Sequence, residues 1–395
     1  MRSPFALPII SLALNAMLLM GGCGPTTVEK TPLLHDAGVA APATHPGRAA
    51  PDWANSLPTE ATEMAVNEQD VDAGTAGESV PSEQEQEEAN LPGPPYPVVL
   101  IHGFTGWSDA GGFAYFFRVL DDLADAGHTD VRAPALPPYN NIEMRALILA
   151  AFVDELLAES GHSKVHLIGH SQGGLDARYL VNVLGYGDRV ASLTTIGTPH
   201  HGTPLADAAL LAPPGMVNRA GRLLAWFIGA VDDPPNDSSW EEDTLEEAAW
   251  APSVRGAFES LSTQGAADFN DAHPDPEDMP LFSVAAYSNL ARAPDWCATG
   301  LWEKPSSVDA MDPLMAMSGA FLSGPNPFHL RRNDGLVPTD SMSRGVLLGC
   351  IPADHFDQMG QIADLTPGLI SGFDHLEFYR KLLTHIRTLE TSWQE

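Results

Sequence analysis

Residues 169–173 read Gly-His-Ser-Gln-Gly, a serine with a glycine two places to either side. A hydroxyl acts as a nucleophile when it stands clear of the backbone with a base in reach, and a sharp strand-to-helix turn gives that exposure. Glycines flank such a turn because side chains there would collide with neighbouring backbone. The chemistry implied is acyl transfer through Ser171. It needs N–H donors for the developing oxyanion, a base, and a carboxylate that orients the base. Gln172, directly after the serine, offers one backbone N–H, and Phe104, in His102-Gly103-Phe104 after an early apolar run, offers the other. His102 reads as a helper that orients this loop. In this arrangement the acid and then the base follow the serine along the chain. Asp334, within Asn333-Asp-Gly-Leu-Val337, is the candidate acid. His355, within Asp354-His-Phe-Asp357, is the candidate base; His375 and His385 are rivals on a stretch from Phe373 to Leu389 that reads as an amphipathic surface helix.

These residues need a rigid frame, and the apolar pattern supplies one. Pro97–Ile101 is a continuous apolar run, the mark of a strand buried on both faces, and Val165–Gly169 reads as another buried strand. Val190–Ile196 is a further strand and Val131–Ala133 a short one. Helical spacing covers Gly112–Ala126, with Phe113, Phe116, Phe117, Leu120 and Leu123 on one stripe, and also Ile142–Leu157 and Gly173–Leu184. Strands alternating with helices predict an α/β fold, a mostly parallel sheet with helices on both faces. Residues 205 to about 270 break that rhythm, and are read as a cap insertion. Within it, 216–231 form an amphipathic pattern, with Met216, Leu223, Leu224, Phe227 and Ile228 opposite Asn218 and Arg222.

The chain of 395 residues is 44% hydrophobic, enough for one large catalytic domain with a tail. Its net charge of −32 excludes a nucleic-acid partner. Residues 1–22 read as an export signal, with Arg2 before an apolar stretch too short to span a membrane. Gly21-Gly22-Cys23 resembles the lipobox of bacterial lipoproteins, whose cysteine is acylated; Met20 stands where leucine is usual. The expectation is an exported envelope lipoprotein held by its acyl anchor. Gly24 is not the aspartate that retains such proteins at the inner membrane, which favours the outer membrane, with simple secretion as the alternative. Residues 23–94 are rich in Pro, Ala, Thr and Glu and read as a self-repelling acidic linker, so the catalytic domain is 95–395. Three cysteines in an oxidising compartment leave Cys297 and Cys350 as a pair once Cys23 carries lipid.

Five ordered segments, Pro97–Phe104, Gly169–Gly174, Thr195–Gly202, Asn333–Val337 and His355–Asp357, resemble the true lipases of the Pseudomonas–Burkholderia type, in the α/β-hydrolase superfamily. The likeness implies Ser171, Asp334 and His355 as the catalytic triad. It implies a structural Ca²⁺ held by the carboxylates of Asp312 and Asp357 and the carbonyls of Gln361 and Leu365, with Asp309 as rival to Asp312. It also implies an ester or lipid substrate, work at a lipid–water interface under a lid at 216–231, and a possible dedicated foldase. The family's second disulfide cysteine follows its catalytic acid closely, whereas here Cys350 lies beside His355. Three readings follow: a triacylglycerol lipase, a short-chain esterase or polyhydroxyalkanoate depolymerase with the same triad, or an inactive surface-binding lipoprotein.

Overall fold

A computed structural model describes residues 96–106, 114–212, 253–288, 293–297, 311–313, 315–324, 330–361 and 373–394. The signal, Cys23, the linker, the lid stretch at 216–231, Asp309 and Leu365 lie outside the described residues.

The frame is a six-stranded sheet. Its strands are β1 (Val98–Ile101), β2 (Val131–Arg132), β3 (Val165–His170), β4 (Val190–Ile196), β5 (Leu281–Tyr287) and β6 (Val346–Pro352), in the order β2-β1-β3-β4-β5-β6. Every pairing is parallel. The helices are α1 (Val119–Asp125), α2 (Ile142–Ser160), α3 (Gln172–Asn182), α4 (Pro204–Leu210), α5 (Val254–Leu261), α6 (Thr263–Ala272), α7 (Ala316–Ser323) and α8 (His375–Gln394).

Alternation along β1 divides the core in two. Val98 and Leu100 join Val119 and Leu123 of α1 and Tyr379, Leu382 and Leu383 of α8 on one face. Val99 and Ile101 join Leu149 and Val153 of α2 and Ala177 and Leu180 of α3 on the other. Full burial of one such side chain contributes about 1.5–3 kcal/mol, so both helical layers are held by the same strand residues that read as apolar runs. The C-terminal helix is amphipathic as expected, with Glu377 and Lys381 exposed and Tyr379, Leu382 and Leu383 in the core. Beyond its apolar face, His166 of β3 bonds Glu390 Oε2 (3.1 Å) and Ser192 Oγ (2.7 Å), and all three are buried.

One expected helix is shorter than its pattern. Helical spacing over 112–126 yields α1 only from Val119. Arg118 has φ 58°, which a continuing right-handed helix does not allow. Backbone groups before it are claimed elsewhere: Gln361 Nε2 donates to the carbonyls of Ala114 and Tyr115, and Phe117 N–H donates to Met359 O. The loop after β6 therefore holds Tyr115 in an irregular turn instead of a helix.

Cys297 and Cys350 are disulfide-bonded, with Cα atoms 5.6 Å apart and a sequence separation of 53. Cys350 lies on β6, the strand that leads to His355. A loop of this length restricts the unfolded chain by about 4 kcal/mol in the loop-entropy model. Reduction is expected to lower the Tm measured by calorimetry, and an unchanged Tm after verified reduction would contradict this brace.

Candidate active site

Ser171 sits between β3 and α3 with φ 55° and ψ −127°, a strained turn for a residue with a side chain. The turn fits because Gly173 has no side chain: a Cβ there would lie 2.4 Å from the Ile101 carbonyl oxygen. Gly103 allows an equally close approach from the other side, since a Cβ there would come within 2.6 Å of Ser171 Cβ. The loop after β1 and the serine turn are therefore in backbone contact.

His355 Nε2 lies 2.9 Å from Ser171 Oγ, and His355 Nδ1 lies 2.6 Å from Asp334 Oδ2. Asp334 is fully buried in a tight loop closed by the Asn333–Pro338 bridge. Its Oδ1 accepts the N–H groups of Leu336 (3.0 Å) and Val337 (2.8 Å), and its Oδ2 accepts Gln358 Nε2 at 2.8 Å. His355 N–H donates to the Asp334 carbonyl at 2.8 Å, which ties the two loops together. Asp354 Oδ1 then accepts from Phe356 and Asp357 N–H and fixes the turn that aims the imidazole.

Gln172 opens α3, so its N–H is among the helix N-terminal donors that have no acceptor within the helix. Phe104 follows Gly103, and its ring packs on Tyr139 and Phe258. Ser171 and His355 line one pocket with Phe104, Leu205, Ala206, Phe258, Leu261 and Leu336. An apolar channel thus ends on a hydroxyl–imidazole pair, a place suited to an acyl chain.

His102 orients the loop as expected. Its Nε2 accepts Leu136 N–H at 2.9 Å, which leaves the proton on Nδ1 to donate to Gly103 O at 2.9 Å. Burial, aided by the Arg145 charge, pushes its pKa down to about 3. Arg145 itself is fully buried and donates to the carbonyls of His102 (2.6 Å) and Pro137 and to Asp176 Oδ2 (2.8 Å). Burial lifts the Asp176 carboxyl to about 7 against the pull of Arg145. This pair, one charge from α2 and one from α3, clamps the loop that carries Phe104.

The rivals for the base are elsewhere. His375 Nε2 bonds Phe117 O at 2.9 Å, and His385 packs edge-on against Phe282, with burial pushing its pKa down to about 4. Asp312 and Asp357 are both buried and both bonded to Asp354: Asp312 N–H donates to Asp354 Oδ2 (2.8 Å), and Asp357 Oδ2 accepts Asp354 N–H (3.3 Å). Gln361 is the clamp on Ala114 and Tyr115. Among the described residues, no group of three or more His, Cys, Asp or Glu is arranged to hold a metal ion. Sequence reasoning missed Arg145, Asp176, Tyr115 and Gln358. Arg145 was the more legible, a charge on the apolar face of α2 between Ile142 and Leu149, whereas Asp176 shares α3 with a second buried charge, Arg178.

A family model described as the alpha/beta hydrolase fold matches residues 96–234. A triacylglycerol lipase of Vibrio cholerae is 31% identical over 269 residues, covering 67% of this chain and 79% of that protein. The chain belongs to the bacterial α/β-hydrolase lipases. A second lipase of the family, the triacylglycerol lipase of Pseudomonas fragi, is 27% identical over 282 residues, covering 68% of this chain and 89% of that protein. The crystal structure of a metagenomic carboxyl esterase shares the fold with a TM-score of 0.52 at 17% identity, over 81% of this chain and 80% of that one. As a member of this lipase family the protein is a serine ester hydrolase.

Proposed function

We propose that the protein hydrolyses triacylglycerols through an acyl-enzyme on Ser171. The observation that carries this reading is the 2.9 Å contact between Ser171 Oγ and His355 Nε2 at the end of an apolar pocket. His355 takes the hydroxyl proton as Oγ bonds to the ester carbonyl carbon. The backbone N–H groups of Phe104 and Gln172 receive the oxyanion. The carbon–oxygen bond to the alcohol then breaks, and His355 returns the proton to that oxygen. Water, deprotonated by the same imidazole, attacks the acyl carbon and releases the acid and Ser171. Asp334 holds the imidazole with Nδ1–H toward itself and stabilises the imidazolium. The names of the two lipase relatives and the apolar lining support a long acyl chain and a glycerol ester.

A structural Ca²⁺ is part of this reading, supported by the likeness to the Pseudomonas-type lipase relatives. Asp312 and Asp357 are both buried and both bonded to Asp354, Asp312 through its backbone N–H and Asp357 through Oδ2, and hard carboxylate oxygens suit the ion. The carbonyls of Gln361 and Leu365 would complete the set. Bound there, Ca²⁺ would supply positive charge that fastens the loop bearing His355. The Gly-Gly-Cys23 sequence and the acidic composition of 23–94 support an acyl anchor and tether that hold the domain at the cell envelope, and the amphipathic pattern at 216–231 supports a lid that opens at lipid.

The test is hydrolysis of emulsified tributyrin, triolein, soluble p-nitrophenyl butyrate and polyhydroxybutyrate, each with and without EGTA. Cleavage of triolein, a rate that climbs above the solubility limit of tributyrin, and a lower Tm with EGTA are expected. Activity confined to soluble short esters or to the polyester would overturn the triacylglycerol assignment. An unchanged Tm and rate in EGTA would remove the calcium.

A further inference from the structure

Behind the serine lies a second line of polar side chains. Tyr115, His170 and Gln358 are buried, and none lines the substrate pocket. Gly103 N–H donates to Tyr115 Oη at 3.1 Å. Tyr115 Oη is 2.7 Å from His170 Nδ1, His170 Nε2 is 3.2 Å from Gln358 Oε1, and Gln358 Nε2 is 2.8 Å from Asp334 Oδ2.

Chemistry fixes the direction of every link. A carboxylate oxygen that already accepts from His355 must meet the amide of Gln358 through its N–H, so Gln358 Oε1 faces His170. His170 must then donate from Nε2, and its Nδ1 is left to accept. Tyr115 donates to that Nδ1 and is free to accept from Gly103 N–H. All the donors point one way, from the backbone of the oxyanion loop to the triad carboxylate. Burial holds the His170 pKa well below its ordinary value, with the nearby His355 acting in the same direction, so the ring stays neutral as the chain requires. The His170 ring also packs at a tilt against His355, with centroids 4.7 Å apart.

We propose that Tyr115, His170 and Gln358 are positioning residues that set the oxyanion loop and Asp334 as one unit. The inference rests on the proposed roles of Phe104, Ser171, Asp334 and His355. Bonds in such a chain polarise one another, so breaking any link loosens both ends. Gly103 then loses the acceptor that fixes the His102–Gly103 peptide, next to the one that carries the Phe104 N–H, and Asp334 loses a donor that fixes its carboxylate relative to His355. None of the three touches substrate, so the effect falls on kcat and leaves KM.

A double-mutant cycle tests this. Tyr115→Phe and Gln358→Met act at opposite ends of His170. Each is expected to lower kcat for p-nitrophenyl butyrate about tenfold with KM unchanged, and the double variant to lose little more than the worse single one. His170→Leu should match the double variant, and His170→Gln, which keeps one donor and one acceptor, should recover most of the rate. Multiplying losses in the cycle, losses that appear in KM, or a His170→Gln variant as poor as His170→Leu at equal Tm would each overturn the proposal. If one of the end variants fails to fold, the His170→Gln and His170→Leu comparison decides alone. The catalytic reading fails separately, through persistent activity in a Ser171→Ala variant.

Discussion

Ser171→Ala is expected to lower kcat for ester hydrolysis by about 10⁵- to 10⁶-fold, the range seen when a serine nucleophile is removed from an intact site. The substitution deletes only Oγ. The strained turn at φ 55° keeps its Cβ, so the contact with Gly103 and the start of α3 persist, and Tm should move little. His355 keeps Asp334 and loses only its bond to the hydroxyl. The remaining rate is expected to come from the proposed oxyanion donors, the N–H groups of Phe104 and Gln172, acting on a bound ester attacked by water. Two measurements check this: single-turnover hydrolysis of p-nitrophenyl butyrate, and labelling by a fluorophosphonate, which the variant should not show. A variant with more than about one hundredth of the wild-type rate, far above what the oxyanion donors alone supply, would place the nucleophile elsewhere.

The serine turn was legible because its cause is local. A strand, two glycines and a helix lie within a few residues, and the steric demand that links them is written in their order. The central strands were legible for a similar reason, since burial on both faces leaves β1 wholly apolar and limits Val190–Ile196 to apolar residues and small hydroxyls. β5 and β6 were not anticipated. Val346–Pro352 carries a glycine and a proline, which blur its pattern, whereas Leu281–Tyr287 is no more polar than β4 and was overlooked. Their strand character comes from pairing with neighbours already in place. Helical spacing at 112–126 failed for the converse reason: Gln361, 246 and 247 residues away in sequence, takes the carbonyls a helix would need. The choice among His355, His375 and His385 also needed long-range information. All three follow the acid in sequence, and only the return of the chain from β6 puts one of them beside the serine. Gln358 was invisible on the same ground, because an amide three places after a histidine has no meaning until Asp334 and His170 stand on either side of it.

The second large effect is in stability. The fold is expected to lose stability steeply as pH falls from 6.5 toward 4. His102 is pushed down to about 3, chiefly by burial and then by Arg145, and His385 down to about 4 by burial. Burial likewise holds His170 and His200 well below their ordinary value, with His355 adding to the effect at His170 and Arg178 at His200. In the unfolded chain these imidazoles take up protons near pH 6.5. Below that pH the unfolded state binds more protons than the folded one, so acid favours unfolding. Each such group removes about 1.4 kcal/mol per pH unit until its folded pKa is reached. Above pH 6.5 its contribution is complete and flat. Asp176 acts in the opposite sense: burial lifts its pKa to about 7, so the folded state takes that proton first as the pH drops. One carboxyl does not offset four imidazoles, and a domain's total stability is only about 5–15 kcal/mol. Unfolding is therefore expected before pH 4. Urea titrations at pH 8, 6.5 and 5 check the slope, and His385→Phe, which keeps a ring against Phe282, should make it shallower by one group. Equal unfolding free energies at pH 8 and pH 5 would refute the argument. The same protons bear on catalysis, since His170 can accept from Tyr115 only while neutral. Protonating it would break the link between the oxyanion loop and Asp334 behind a serine that is otherwise untouched.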